Sequence, residues 1–170
     1  MRHTITILLE NTFGAFDRVA TMFSAKGFNI HSISIGETEI HEISRMTIVT
    51  SGDDHIIDQV VKQLNRLIDT VKVVDLSTFD RVERELALIT INYQKGSLEE
   101  IKNICDIFRG KVVDINSRSI MLEITGPPAK INAVTDVLMP FGIKEMARSG
   151  TVALRRGERI KAHKKELSAA

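Results

Sequence analysis

The sequence predicts an α+β fold of two tandem ferredoxin-like domains, each with the order β-α-β-β-α-β. Three observations predict it. Short β-branched segments alternate in polarity, amphipathic stretches of helical period fall between them, and the whole order occurs twice. The expected boundaries are residues 1–77 for the first domain, 82–157 for the second and 158–170 for a charged tail.

The first half reads as follows. His3 to Glu10 alternates and is β-branched, which predicts a strand with one buried face. Asn11-Thr12-Phe13-Gly14 breaks it. Phe16, Val19, Ala20 and Phe23 then recur at i, i+3, i+4 and i+7, the spacing of an amphipathic helix, and Gly27 supplies a left-handed stop. Phe28 to Ile35 and Ile43 to Thr50 are strand-like around a polar turn, Glu37 to Glu42. Asp53 or Asp54 can cap a second helix whose apolar stripe is Ile57, Val60, Val61, Leu64 and Ile68. Val71 to Leu76 closes the unit.

The second half repeats the order after a charged joint at Arg81-Val82-Glu83-Arg84. Leu86 to Tyr93 is a strand. Ser97-Leu98-Glu99-Glu100 fits a capping box, in which hydroxyl and carboxylate satisfy orphan helix amides reciprocally. Leu98, Ile101, Ile104, Cys105 and Phe108 form the helix stripe, and Gly110 is expected to end it. Val112 to Ile115 and Ile120 to Thr125 read as paired strands. Gly126-Pro127-Pro128 opens a helix with inward Ile131, Val134 and Leu138, which Pro140 ends. One final strand-like segment lies between Ile143 and Leu154. Met22 to Ile30 also echoes Ile107 to Ile115 locally. Each unit is small for a lone core, which argues for pairing between units or between chains.

Composition narrows the function. The chain has 170 residues, 26% charged and 43% hydrophobic, with a formal net charge of +1. A balance so close to zero gives no general attraction to nucleic acid or anionic lipid. A single cysteine, Cys105, rules out an internal disulfide and fits a reducing compartment. No N-terminal stretch reads as a signal peptide, and no run approaches the ~20 apolar residues of a membrane span. A soluble, cytoplasmic protein is expected.

Catalytic chemistry is hard to find. His3, His31, His41, His55 and His163 are scattered, and no two stand at i, i+4 on a helix, so no metal site is expected. Cys105 falls on an apolar stripe and reads as a buried small hydrophobe. The pairs Asp53/Asp54, Glu83/Glu85 and Glu99/Glu100 fall at helix starts or in the joint, where capping and solvation account for them. Tyr93-Gln94-Lys95-Gly96-Ser97 lacks the upstream glycine of a phosphate loop. One RNA-binding module shares this strand order and stacks bases on aromatics of its middle strands. Ser44 to Thr50 and Ile120 to Ile124 contain no aromatic, which argues against RNA.

The unusual segment is the first loop, Leu9 to Phe16. A strand end, a polar Asn11 and Gly14 lead at once into a helix start. Helix N-terminal amides suit a small carboxylate, and glycine lets a ligand approach the backbone closely. Spacing alone leaves two readings open: a ligand site, or a plain turn with Asn11 as helix cap.

Several motifs bear on the choice. Leu8-Leu9-Glu10-Asn11-x-x-Gly14-Ala15-x-x-Arg18-Val19, Phe23-Ser24-x-x-Gly27-Phe28-Asn29-Ile30-x-Ser32 and Ser44-Arg45-Met46-Thr47-Ile48 occur in register. So do Val82-Glu83-Arg84-Glu85, Ile107-Phe108-Arg109-Gly110 and Ala147-Arg148-Ser149-Gly150. Together, from the first strand to about Gly157, they closely resemble the small regulatory subunit of bacterial acetohydroxyacid synthase, also called acetolactate synthase, of branched-chain amino acid biosynthesis. The resemblance implies an N-terminal ACT domain, paired edge to edge in a homodimer, and a C-terminal ACT-like domain. It implies a non-catalytic chain that activates a large catalytic subunit and confers feedback inhibition by valine. Thiamine diphosphate, a divalent metal (Mg) and FAD would belong to that catalytic subunit, with no cofactor in this chain. The effector residues it implies are Asn11, Gly14 and Ala15 in the first loop and Asn29 and Ile30 at the start of the second strand. In the family, the first loop of one copy faces the second strand of its neighbour. The ligand carboxylate would meet amides near Gly14 and Ala15, its ammonium the Asn11 side-chain oxygen or a backbone carbonyl, and its side chain Leu9, Ile30 and neighbours. Pockets of this kind separate ligands by only ~1–3 kcal/mol per methylene, so isoleucine and leucine also fit. The alternative is a stand-alone ACT-domain sensor serving another enzyme or regulator.

Overall fold

A computed structural model describes residues 1–93 and 96–157. The expected tail, 158–170, and Gln94-Lys95 of the Tyr93 to Ser97 segment lie outside the described residues. The described residues form two compact units, 1–82 with 153–157, and 83–152.

In the first unit, β1 (Arg2–Glu10), α1 (Ala15–Lys26), β2 (Ile30–Glu37), β3 (Ile43–Ser51), α2 (Asp54–Leu64) and β4 (Thr70–Asp75) follow in order. The strands form an antiparallel sheet ordered β2-β3-β1-β4. Strand period 2 sorts the side chains. Ile5, Ile7 and Leu9 of β1 and Met46 and Ile48 of β3 enter one core with Val19, Phe23, Ile57, Val60 and Leu64. Phe23 meets Phe28 edge-on, ring centres 6.1 Å apart. The Asp53 side chain caps α2 by accepting the Ile56 amide at 2.8 Å.

In the second unit, β5 (Arg81–Asn92), α3 (Leu98–Ile107), β6 (Lys111–Ile115), β7 (Ser119–Gly126), α4 (Pro128–Leu138) and β8 (Ile143–Arg148) repeat the order. The sheet runs β6-β7-β5-β8. Ala87, Ile89, Ile91, Ile120, Leu122 and Ile124 pack against Ile101, Cys105, Ile131, Val134 and Leu138. Burial pushes the Cys105 thiol pKa up.

The structure corrects several local expectations. The buried face of α1 is Ala15, Val19, Met22 and Phe23, whereas Phe16 is 47% exposed. Ile68 lies beyond α2 and is 87% exposed. Ser97 sits at the N-cap of α3 in a helical conformation and makes no side-chain cap bond, because a cap oxygen reaches the amides from extended backbone. The charged joint is not a loop: β5 already begins at Arg81. Gly110 is not the left-handed stop of α3. Arg109 takes that conformation at φ 51°, and Gly110 is required for space instead. A Cβ there would lie 2.8 Å from Cys105 Sγ and 3.1 Å from the Glu123 carbonyl oxygen. The last strand-like segment is two strands, β8 and β9 (Val152–Arg155), split at Ser149-Gly150-Thr151. Residues 153–157, expected with the second domain, group with the first. Arg156 N–H donates to the Asp80 carbonyl at 2.9 Å, and the Arg155 guanidinium lies 3.9 Å above the Phe79 ring.

Candidate effector site

The first loop is built by long-range bonds. Asn11 N–H donates to the Glu42 carbonyl at 2.7 Å. Its side-chain Nδ2 donates to the His41 carbonyl at 3.2 Å and, more weakly, to Glu37 Oε1 at 3.4 Å. Asn11 is therefore no helix cap. It staples the loop to the β2–β3 turn and leaves Oδ1 as the acceptor it can offer a ligand. The N-cap of α1 is Gly14, at φ 81° and ψ −1°, with no side-chain cap bond. That left-handed conformation favours glycine. The first-turn amides of α1 thus have no side-chain acceptor, and they carry the partial positive charge of a helix start. Ala15 is buried, and its N–H already donates to the Thr12 carbonyl at 3.2 Å.

Asn29 and Ile30 lie elsewhere. Asn29 is exposed, and its carbonyl accepts the Thr50 hydroxyl at 2.6 Å. Ile30 pairs with Thr50, which in turn pairs with His3 at the start of β1. Asn11 follows the other end of β1, where Leu9 pairs with Ser44. Ser44 and Thr50 are six residues apart along β3, or about 20 Å at the rise of a strand. One copy of the chain therefore does not bring Asn11 and Gly14 together with Asn29 and Ile30. Leu9 is also corrected as a lining residue, since it is 1% exposed and packed within the core.

What could unite them is the edge of the sheet. β2 is an outer strand, half of its residues exposed and none fully buried. Antiparallel pairing of β2 with the same strand of a second copy would set Ile30 of one opposite Glu37 of the other. Glu37 is the residue beside Asn11.

Sequence reasoning missed two arrangements. The first joins Thr12, Arg18 and Asp69. Arg18 Nε donates to Asp69 Oδ2, its Nη2 donates to Oδ1 at 2.8 Å, and the Thr12 hydroxyl donates to Oδ1 at 3.2 Å. The Arg18 bonds hold the Asp69 carboxyl below the usual carboxylate range, and Asp69 raises Arg18 in turn. The second joins Glu85 and Arg148, two residues of separate motifs. Arg148 Nε and Nη2 each donate to the buried Glu85 carboxylate at 2.7 Å, and Nη1 donates to Asn132 Oδ1 at 3.1 Å. Glu85 was expected to be a solvated joint residue. It is 5% exposed, because β5 already runs through the joint.

Among the described residues, no three His, Cys, Asp or Glu side chains are grouped to hold a metal ion. No described helix is long and apolar enough to cross a membrane.

Comparison with known proteins agrees with both units. A family described as "AHAS small subunit-like ACT domain" matches residues 5–72, and one described as "Small subunit of acetolactate synthase" matches residues 84–157. The acetolactate synthase small subunit of Aquifex aeolicus is 52% identical over 97% of this chain and 86% of that protein. A probable acetolactate synthase small subunit of Archaeoglobus fulgidus is 46% identical over 94% of this chain and 99% of its own length. The crystal structure of the acetolactate synthase small subunit from Thermotoga maritima superposes with a TM-score of 0.85 at 37% identity, covering 94% of this chain and 99% of that one.

Proposed function

This chain belongs to the acetolactate synthase small-subunit family, and from that premise we propose that it activates a catalytic large subunit and confers feedback inhibition by valine. The observation that carries the proposal is the division of the effector residues between the two ends of one sheet that has an exposed edge. Such a division gives a reason for a homodimer. Two copies paired through β2 form two sites, each with Asn11 and Gly14 from one copy and Asn29 and Ile30 from the other. In each site the valine carboxylate faces the open first turn of α1, the ammonium faces Asn11 Oδ1, and the isopropyl group rests on Ile30. The Arg18 charge is already paired with Asp69, so amides rather than the guanidinium receive the carboxylate.

In this reading the first unit is the effector-binding domain and the second unit the further ACT-like domain. Thiamine diphosphate, magnesium and FAD reside in the catalytic subunit, and the complex works in the cytoplasm. Valine bound between copies favours one arrangement of the first units over another. It acts only through its differential affinity for those arrangements, and the coupling is reciprocal for binding, typically ~1–3 kcal/mol. Isoleucine and leucine compete for the same pocket.

Reconstitution tests the proposal. Adding the chain to its catalytic subunit should raise acetolactate formation, and valine should reverse that rise. Activation without a valine response would reject the sensing half of the proposal, and no activation would reject the rest.

A further inference from the structure

We propose that Asp69 is a positioning residue for the effector loop, setting the strength of the valine response from outside the loop by holding Thr12 and Arg18 together. The inference rests on reading that loop as half of an effector site. Asp69 lies between α2 and β4 and is 6% exposed. Its carbonyl accepts the Glu10 amide at 2.9 Å, which fixes the residue before the loop. Its Oδ1 accepts the Thr12 hydroxyl, which fixes the loop itself. Through Arg18 it reaches further. Arg18 Nη2 also lies 3.4 Å from the Phe13 carbonyl oxygen, and Nη1 would lie 3.2 Å from a Cβ at Gly14.

Asp69 is thereby tied to three positions of the segment that leads into α1: to Glu10 through its main-chain carbonyl, to Thr12 through its carboxylate, and to Phe13 through Arg18. Backbone bonds from Thr12 to Glu10 and from Ala15 to Thr12 shape the turn itself, and Asn11 ties it to the β2–β3 turn, so the Asp69 cluster is what fastens its other side, next to the left-handed Gly14. The bidentate Arg18 contact gives the orientation that a point charge would not. The Arg18 side chain is 43% exposed while that of Asp69 is 9% exposed, so solvent reaches the pair from the Arg18 side and screens its contribution to stability. Geometry is therefore the larger consequence of this cluster. Both Asp69 oxygens already accept bonds, so Asp69 contributes through Thr12 and Arg18 rather than by touching the ligand.

The test uses the holoenzyme reconstituted from the full chain and its catalytic subunit. Asp69→Asn and Thr12→Val should each raise the valine concentration for half-inhibition by roughly tenfold, within the usual span of allosteric couplings. Stimulation of the catalytic subunit without valine should stay as in wild type. Thr12→Ser should restore the wild-type midpoint, and the double variant should respond no worse than Asp69→Asn alone, because both changes break one cluster. An unchanged midpoint in Asp69→Asn, or additive effects in the double variant, would overturn the proposal. Should Asp69→Asn fail to fold, Thr12→Val decides: parallel loss of stimulation and valine response there would mean a merely structural role. A wild-type holoenzyme that ignores valine would instead overturn the effector-site reading on which this proposal stands.

Discussion

Gly14 shows how one residue can carry several constraints. Its φ of 81° suits glycine, and a Cβ would press on Arg18 Nη1 at 3.2 Å. Gly14→Asp should abolish the valine response and leave activation largely intact. It would repel the ligand carboxylate and also draw Arg18 away from Asp69, so Gly14→Ala, which adds bulk without charge, should reproduce only part of the loss. Valine titration of the reconstituted enzyme checks both variants. Asp69 also makes a pH prediction. Its folded pKa is depressed, chiefly by the Arg18 hydrogen bonds, so its stabilisation is present above the unfolded value of ~3.9 and is lost as pH falls through the folded value. Thermal melts below about pH 4 should therefore show wild type losing more stability than Asp69→Asn. The loop was legible in sequence because strand end, asparagine and glycine are adjacent. Its fastening was not, because Thr12 and Arg18 meet a carboxylate more than fifty residues away, and no local pattern encodes that distance.

At the scale of elements, the two helix-to-strand connections after α1 and α3 end in the same way with different residues. Gly27 and Arg109 hold the left-handed position. In each case the next amide reaches back to the last turn, Phe28 to the Phe23 carbonyl at 3.0 Å and Gly110 to the Cys105 carbonyl at 2.8 Å. Phe23 therefore corresponds to Cys105, and the echo of Phe23 with Phe108 in the sequence is offset by three residues. Glycine at 110 answers to packing rather than to φ. Gly110→Ala should cost ~1–3 kcal/mol by overpacking against Cys105 and the Glu123 carbonyl, measurable by urea denaturation. Glu85→Ala, which removes the partner of Arg148, should cost about 1–3 kcal/mol in the same assay. Strands and helices were readable from period because burial imposes it: Ile5, Ile7 and Leu9 in β1 repeat as Ala87, Ile89 and Ile91 in β5. Phe16 fits the stripe by spacing alone, yet the buried face of α1 is Ala15, Val19, Met22 and Phe23, which leaves Phe16 half exposed. The break between β8 and β9 falls at Ser149-Gly150, where Gly150 takes φ 78° inside a stretch whose strand-like residues otherwise run on.

The whole molecule is where the functional claim is decided. Asn11 and Gly14 stand at one end of the first sheet, Asn29 and Ile30 at the other, about 20 Å apart by strand rise. If these residues form one valine site, two copies must build it across β2. Subunit complementation tests this directly. Gly14→Asp and Asn29→Ala variants, each deficient in valine binding, are mixed, allowed to exchange, and titrated with valine by calorimetry. A site shared between copies predicts that each heterodimer regains one intact site, so valine binding should return at roughly one site in four after statistical exchange. Continued absence of binding in a mixture shown to contain heterodimers would mean that each site lies within one copy, and would contradict the account.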